Sequence, residues 1–126
     1  GYDFVSALDG GLDYTLSAKG TNVSGGQRQR LLVARALAAD PDILVLDDAS
    51  SALDYKTDAK MRKAIRNEYG KNTTLITVAQ RISSVKDADL VIVLEKGRIA
   101  GIGKHKELMQ SCEIYRSIAY TQMGGD

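Results

Sequence analysis

The sequence has little that would cross-link the chain or carry it through a membrane. One cysteine, Cys112, stands among 126 residues, which excludes an internal disulfide framework and is typical of a reducing compartment. The longest purely apolar stretches run only about four to six residues, whereas a membrane-spanning helix needs ~20. Any connection to a membrane therefore has to come through a segment that this sequence does not contain.

The sequence also has no strong net charge and no recognisable sorting signal. Lys and Arg together number 17 against 16 Asp and Glu, for a net charge of +1. Bulk charge therefore gives no support for binding to nucleic acid or to an anionic membrane. The chain starts at Gly1 with no charged, apolar leader, so we expect no targeting signal and expect the start to be a point inside a larger protein.

The apolar pattern that is present predicts alternating helices and strands in one domain at most. Residues 1–22 are irregular apart from a short helix near residues 4–8. The predicted helices are residues 27–39, 57–69, 82–86, 107–110 and 113–122, and the predicted strands are residues 43–46, 73–78, 90–94 and 98–101. The residues expected to face inward from the first two long helices are Leu31, Ala34, Leu37, Ala38, Met61, Ala64 and Ile65.

The order strand, helix, strand predicts an α/β sheet with right-handed crossovers. The apolar run ILVL at residues 43–46 is typical of a parallel strand that is buried on both faces. Glu95, Lys96 and Gly97 indicate a tight turn, so the last two strands are expected to form a hairpin. Pro41 ends the preceding helix, and Gly70 is expected to cap the next one.

The most informative run is NVSGGQ at residues 22–27, directly before a predicted helix. Ser24 and Gln27 have the spacing of a capping box, in which each side chain bonds to the other residue's backbone N–H. Gly25 and Gly26 weaken a helix by ~1 kcal/mol each and leave the first-turn amides uncovered. The run therefore has two interpretations, a simple helix cap or an anion site at a helix N-terminus.

Two adjacent acids follow the apolar strand, at the end where α/β sheets bind ligands. Asp47 could support Mg²⁺ through water, and Asp48 could face an attacking water; alternatively, the two acids only start a loop. Gln80 follows the neighbouring strand and could reach the same ligand, although by itself a surface position is the better interpretation. His105 is expected to be exposed and structural.

Four motifs in order resemble those of the ABC ATPases. The run SGGQRQR at residues 24–30, followed by ARAL at residues 34–37, resembles the signature motif, and residues 44–48 resemble the Walker B strand. SSALD at residues 50–54 resembles the D-loop, and TVAQR at residues 77–81 lies where the family has its switch histidine. Residues 28–30, 97–99 and 104–108 are most similar to the exporter branch.

The resemblance implies an ATPase module in which two nucleotide-binding domains enclose two ATP molecules. The residues it assigns to the ATP held by a partner domain are Ser24, Gly25 and Gly26, with Gln27 nearby. Asp47 would support Mg²⁺ on the chain's own ATP, and Ser51 and Asp54 would couple the two sites. The implied partners are a second nucleotide-binding domain and a transmembrane domain, which would place the chain at the cytoplasmic face of the cell membrane.

Two positions depart from the family pattern and both concern the chain's own ATP. Asp48 stands where most members have glutamate, and Gln80 stands where they have the switch histidine. A carboxylate drawn back by about 1 Å can cost ~100-fold in rate, and glutamine cannot relay a proton. The combination resembles the degenerate-site subunit of a heterodimeric exporter, which implies that the second domain is a different subunit.

The phosphate-binding pattern GxxxxGK[ST] is absent from the sequence. The resemblance therefore implies a partial P-loop NTPase core without its Walker A half, with residues 1–38 as the end of the helical subdomain and residues 41–126 as the Walker B half. We expect weak ATP binding by the chain alone and an exposed sheet surface, with self-association or partial disorder of the chain in isolation. Two alternatives remain, a catalytically silent nucleotide clamp and an ABC ATPase of DNA repair or translation; the latter is disfavoured because long coiled-coil or basic segments are absent.

Overall fold

The chain folds into two packing units that divide between Val78 and Ala79. A computed structural model describes residues 2–123. Among these residues no helix combines the length and the apolar character needed to cross a bilayer.

The first unit contains a parallel strand pair joined by a helix. Its elements are α1 (Tyr2–Val5), two 3-10 turns (Gly11–Asp13 and Ala18–Gly20), α2 (Gly25–Leu37), β1 (Ile43–Asp47), α3 (Tyr55–Tyr69) and β2 (Thr74–Val78). β1 and β2 run parallel, with Ile43 opposite Thr74 and Asp47 opposite Val78. The strand–helix–strand prediction is confirmed, and Gly70 caps α3 as expected. α2 and α3 each begin two residues earlier than predicted.

Helices α2 and α3 pack their apolar stripes on one face of β1. The buried residues of this core are Val33, Leu44, Leu46 and Ile65, and Leu37, Ala49 and Met61 pack against them. The predicted inward positions Ala34, Ala38 and Ala64 are wrong, since all three are exposed. The stripe of α2 consists of Val33 and Leu37 at i, i+4, because the larger side chains and not the alanines fill the space above β1.

The other face of β1 is open, so the prediction that this strand is buried on both faces is wrong. Ile43 and Val45 are 60% and 57% exposed, whereas Leu44 and Leu46 between them are buried. Successive side chains of a strand point to opposite faces, and within residues 2–78 the helices that bury β1 lie on one of them. The expectation of an exposed sheet surface is confirmed.

The second unit consists of a hairpin and three helices. Its elements are α4 (Ile82–Val85), β3 (Val91–Glu95), β4 (Arg98–Gly103), α5 (His105–Ser111) and α6 (Glu113–Met123). β3 and β4 are antiparallel, as predicted. Lys96 and Gly97 between them have φ values of 48° and 75°, the left-handed pair that the tightest hairpin turns require.

The core of the second unit is built from the hairpin and the C-terminal helices. Its buried residues are Ile82, Val91, Val93, Leu108, Cys112, Tyr115 and Ala119. His105 is half-buried and not exposed as predicted, because its Nδ1 lies 2.9 Å from the Tyr115 hydroxyl. Burial raises the pKa of that hydroxyl. With parallel β1–β2 and helices in both units, the α/β class is confirmed.

Candidate functional site

The serine before α2 caps the helix as its spacing predicts. The Ser24 hydroxyl accepts a hydrogen bond from the Gln27 backbone N–H at 3.2 Å, and Gln27 Oε1 accepts from the Ser24 backbone N–H at 2.9 Å. This reciprocal pair is a capping box, and it uses one of the N–H groups that the first turn of a helix leaves without a partner.

Two further amides at this helix start keep their hydrogen-bonding capacity. Gly25 and Gly26 form the first two positions of α2, and no acceptor within residues 2–123 bonds to their N–H groups. The first turn of α2 contains no acidic side chain, so nothing there offsets the positive end of the helix dipole. Such a terminus, next to an exposed serine hydroxyl, is chemically suited to an anion such as phosphate.

Asp47 and Asp48 lie together at the carboxyl ends of β1 and β2. The Asp48 backbone N–H donates to the Val78 carbonyl at 2.9 Å, which ties the residue after β1 to the end of β2. Asp48 has a φ of 50°, a left-handed conformation that aspartate tolerates better than most residues. Both carboxylates are exposed and available to solvent or a ligand.

These carboxylates are suited to a magnesium ion that is held mainly by water and phosphate. Within residues 2–123 no group of three or more His, Cys, Asp or Glu side chains converges as metal ligands. Mg²⁺ in phosphate-binding enzymes takes one or two carboxylates and keeps several waters. The donor set therefore fits Mg²⁺ that is shared with a bound phosphate group.

The segment from Asp48 to Asp54 links β1 to α3. Asp54 is the N-cap of α3, and its carboxylate accepts from the Thr57 backbone N–H at 2.8 Å and from the Thr57 hydroxyl at 2.7 Å. The backbone hydrogen bond from Thr57 lowers the pKa of Asp54, because it stabilises the charged carboxylate. Asp54 is therefore ionised at neutral pH and fixed at the start of α3.

The start of α2 packs directly on this segment. A Cβ atom added at Gly26 would lie 3.1 Å from the Ala52 carbonyl oxygen and 3.2 Å from Leu53 Cδ2, and one at Gly25 would lie 3.5 Å from Ala52 Cβ. Gln29, one turn further along, donates from Nε2 to the Ser51 hydroxyl at 3.0 Å. The structure thus brings Gly25 and Gly26, within the predicted run 24–27, close to Ala52 and Leu53, which lie between the predicted Ser51 and Asp54.

Comparison with known proteins assigns the chain to a family. A family model described as ABC transporter matches residues 5–51, which include the start of α2, β1 and both acids. The chain belongs to the ABC transporter family. It is 42% identical over 121 residues to an ATP-dependent lipid A-core flippase of Wigglesworthia glossinidia brevipalpis. It is 44% identical over 119 residues to the alpha-hemolysin translocation ATP-binding protein HlyB of Escherichia coli.

A solved ABC transporter structure shares the fold of the chain. The structure of a bacterial Atm1-family ABC exporter with ATP bound matches with a TM-score of 0.89 and 34% sequence identity, over 97% of this chain. The chain spans only about a fifth of the relatives it matches: 21% of the flippase and of the Atm1-family chain, and 17% of HlyB. The matches cover nearly all of this chain and a small part of each ABC transporter.

Gln80, the remaining predicted residue, lies in the second unit of this ABC transporter segment. Its side chain is exposed, as a surface position predicts. Its backbone carbonyl accepts from Gln122 Nε2 at 2.6 Å, and Gln122 Oε1 accepts from the Ile82 backbone N–H at 2.8 Å. The side chain of Gln122 therefore bridges the backbone on both sides of Arg81 and fixes the turn that carries Gln80.

Three residues that organise the first unit were not predicted from the sequence. Asn22 bonds to Ser17 and Tyr14 and shapes the loop before α2. Gln29 bonds to the segment after β1, and Asp58 is fully buried in α3. Helical spacing could have predicted the position of Gln29. This residue is one turn from both Gly25 and Gly26 and therefore lies on the same face of α2.

Proposed function

We propose that this chain is the signature and Walker B portion of the ATPase module of an ABC exporter. The observation that carries the proposal is the packing of the start of α2 on the segment after β1, through Gly26 and Gln29. That packing supports a shared role in phosphate chemistry for a helix start that is suited to an anion and for the segment that follows the two acids. Residues 1–38 would be the end of the helical subdomain, and residues 41–126 the Walker B half of a partial P-loop NTPase core.

In this proposal the start of α2 binds the ATP of a second nucleotide-binding domain. The amides of Gly25 and Gly26 and the hydroxyl of Ser24 are directed at its γ-phosphate, where charge-assisted hydrogen bonds to an anion are strong. Gln27 holds Ser24 through the capping box. Ser51 and Asp54, on the segment that touches α2, couple the two ATP sites.

In this proposal the two acids after β1 act on the ATP that is bound by the chain's own domain. Asp47 would hold Mg²⁺ through water, and the ion would neutralise phosphate charge during the reaction. Asp48 orients water with a carboxylate one methylene shorter than glutamate, and Gln80 offers a hydrogen bond without a proton relay. We therefore propose that this site hydrolyses ATP slowly and that the chain completes the faster site of a different subunit.

The proposed assembly explains which parts are needed for activity. ATP hydrolysis requires a phosphate cradle, and GxxxxGK[ST] does not occur in these 126 residues; the chain alone would be inactive. Export requires a transmembrane domain, which we propose belongs to the same transporter and holds the chain at the cytoplasmic face of the membrane. The names of the flippase and HlyB relatives support export.

The second candidate function is a nucleotide clamp that binds ATP and gates dimerisation without hydrolysis. Asp48 and Gln80 favour it, since both depart from the residues that the resemblance assigns to catalysis. It differs from the first proposal in one measurable respect, the ATP turnover at this chain's own site.

The test is ATP turnover by the full-length subunit purified with its partner, which mass spectrometry would identify. Slow turnover at this site arises from the short carboxylate and the missing imidazole, so Asp48→Glu with Gln80→His should raise it about tenfold or more. The control is Asp48→Asn, which keeps the tolerance for a φ of 50° and removes the charge, and which should not raise turnover. Unchanged turnover in the double variant would refute the slow-site account, and recovery of this subunit alone would favour the clamp.

A further inference from the structure

The side chain of Gln29 joins α2 to the segment that follows β1 at several points. Its Nε2 donates to the Ser51 hydroxyl at 3.0 Å and makes a longer contact of 3.5 Å to the Asp48 carbonyl. Its Oε1 accepts from the Ala52 backbone N–H at 3.2 Å. The side-chain amide of Gln29 thus contacts three residues of the same turn, Asp48 and Ser51 through its donor and Ala52 through its acceptor.

The same turn is held from its opposite side by α3. Asp58 is fully buried and accepts hydrogen bonds from the Ser50 hydroxyl and from Arg62 Nε, the latter at 3.2 Å. Asp54 caps the same helix. Because buried, charge-assisted hydrogen bonds restrict motion strongly, the turn is fixed to α3, and Gln29 is a polar link between the turn and α2.

We propose that Gln29 is a positioning residue that makes the start of α2 and the turn after Asp48 move as one body. The inference rests on the proposed function, in which the start of α2 serves one ATP and Asp47 and Asp48 serve the other. A displacement of either nucleotide contact is then passed through Gln29 to the other. The close approach of Gly25 and Gly26 to Ala52, which leaves little room for a Cβ atom at Gly26, sets the spacing, and the hydrogen bonds of the Gln29 amide align the two segments.

The amide group itself is required, because the turn presents both donors and acceptors. The Ala52 N–H needs an acceptor, while the Asp48 carbonyl needs a donor. Glutamate keeps the acceptor but places a carboxylate beside the Asp48 carbonyl oxygen. Leucine has nearly the same volume and offers neither group, so Gln29→Leu removes the link with little change in packing.

The experiment compares Gln29→Leu with the unsubstituted full-length protein and with Gln110→Leu as a control. Gln110 is an exposed residue of α5, outside the nucleotide machinery. In Gln29→Leu, hydrogen exchange of the Ala52 amide should quicken by about fivefold to tenfold, the size expected for one hydrogen bond. The kcat for ATP should fall about tenfold with KM nearly unchanged, since the phosphate contacts remain.

Exchange measured across the whole chain separates positioning from general destabilisation. If Gln29 positions the turn, the faster exchange in Gln29→Leu should be confined to the residues around Ala52, and exchange in β3 and β4 should stay unchanged. Equal kcat in Gln29→Leu and Gln110→Leu, or unchanged exchange at Ala52, would overturn the inference. An unsubstituted protein without ATP turnover would instead refute the proposed function, and the exchange at Ala52 would then decide the role of Gln29.

Discussion

At the scale of single residues, the two glycines that open α2 differ in the space around them. A methyl group at Gly26 would lie 3.1 Å from the Ala52 carbonyl oxygen, closer than most side chains approach, whereas one at Gly25 would meet Ala52 Cβ at an ordinary 3.5 Å. A side chain at Gly26 would therefore require residues 52–53 to shift by a few tenths of an ångström. Gly25 has no such steric requirement.

Alanine at these two positions should separate packing from helix propensity. Both substitutions gain ~1 kcal/mol of propensity at most, and Gly26→Ala alone crowds the turn. We expect Gly26→Ala to be less stable than Gly25→Ala by about 1–3 kcal/mol, measured as the free energy of urea unfolding in the full-length protein. Equal stability of the two variants would contradict the close approach of α2 to residues 52–53.

At the scale of elements, α3 is joined to the turn before it by the buried side chain of Asp58, which accepts a hydrogen bond from Ser50. The Asp58 carboxylate has no solvent exposure and meets Arg62 one turn along the same helix. Arg62→Met removes the opposite charge and leaves a buried carboxylate, a change that costs about 3–5 kcal/mol in comparable sites. We expect a loss of this size in the free energy of unfolding.

The control for this variant is Arg66→Met, one further turn along α3. Arg66 is exposed, so its replacement should change stability by no more than about 0.5 kcal/mol. A similar effect of both substitutions would mean that α3 loses stability through its helical charge pattern and not through the buried pair.

Element boundaries followed from local signals, while the packing partners did not. Ser24 with Gln27 located the start of α2 to within two residues, and Lys96 with Gly97 located the hairpin, because caps and tight turns are set by a few neighbouring residues. The Gln29 contact joins residues that are 22 positions apart, and no local pattern encodes such a contact. Periodicity likewise could not decide between Val33 and Ala34, which are adjacent on the helix.

At the scale of the whole chain, the open face of the β1–β2 sheet has the composition of a buried surface. The exposed apolar residues there are Ile43, Val45, Ile76 and Val78. Exposed apolar patches of this kind are typical of contact surfaces. The curated relatives are about five times as long as this chain, so we expect a segment of the longer protein to cover this face.

The alternation along β1 supplies a matched pair of substitutions for testing this expectation. Val45 is exposed and Leu44 is buried, although the two are neighbours of similar character. In the isolated chain, Val45→Lys should reduce self-association without unfolding, since the charge enters solvent and opposes edge and face contacts. Leu44→Lys places a charge in the core and should unfold the first unit.

Sedimentation and circular dichroism of the isolated chain measure both effects. We expect the unsubstituted chain to sediment as a mixture of associated species, Val45→Lys to shift toward the monomer with unchanged helix content, and Leu44→Lys to lose helix content. In the full-length protein the difference between the two variants should shrink, because a covered face makes Val45→Lys destabilising as well. A monomeric unsubstituted chain with a sharp two-state melt would show that this face is stable in water and needs no cover.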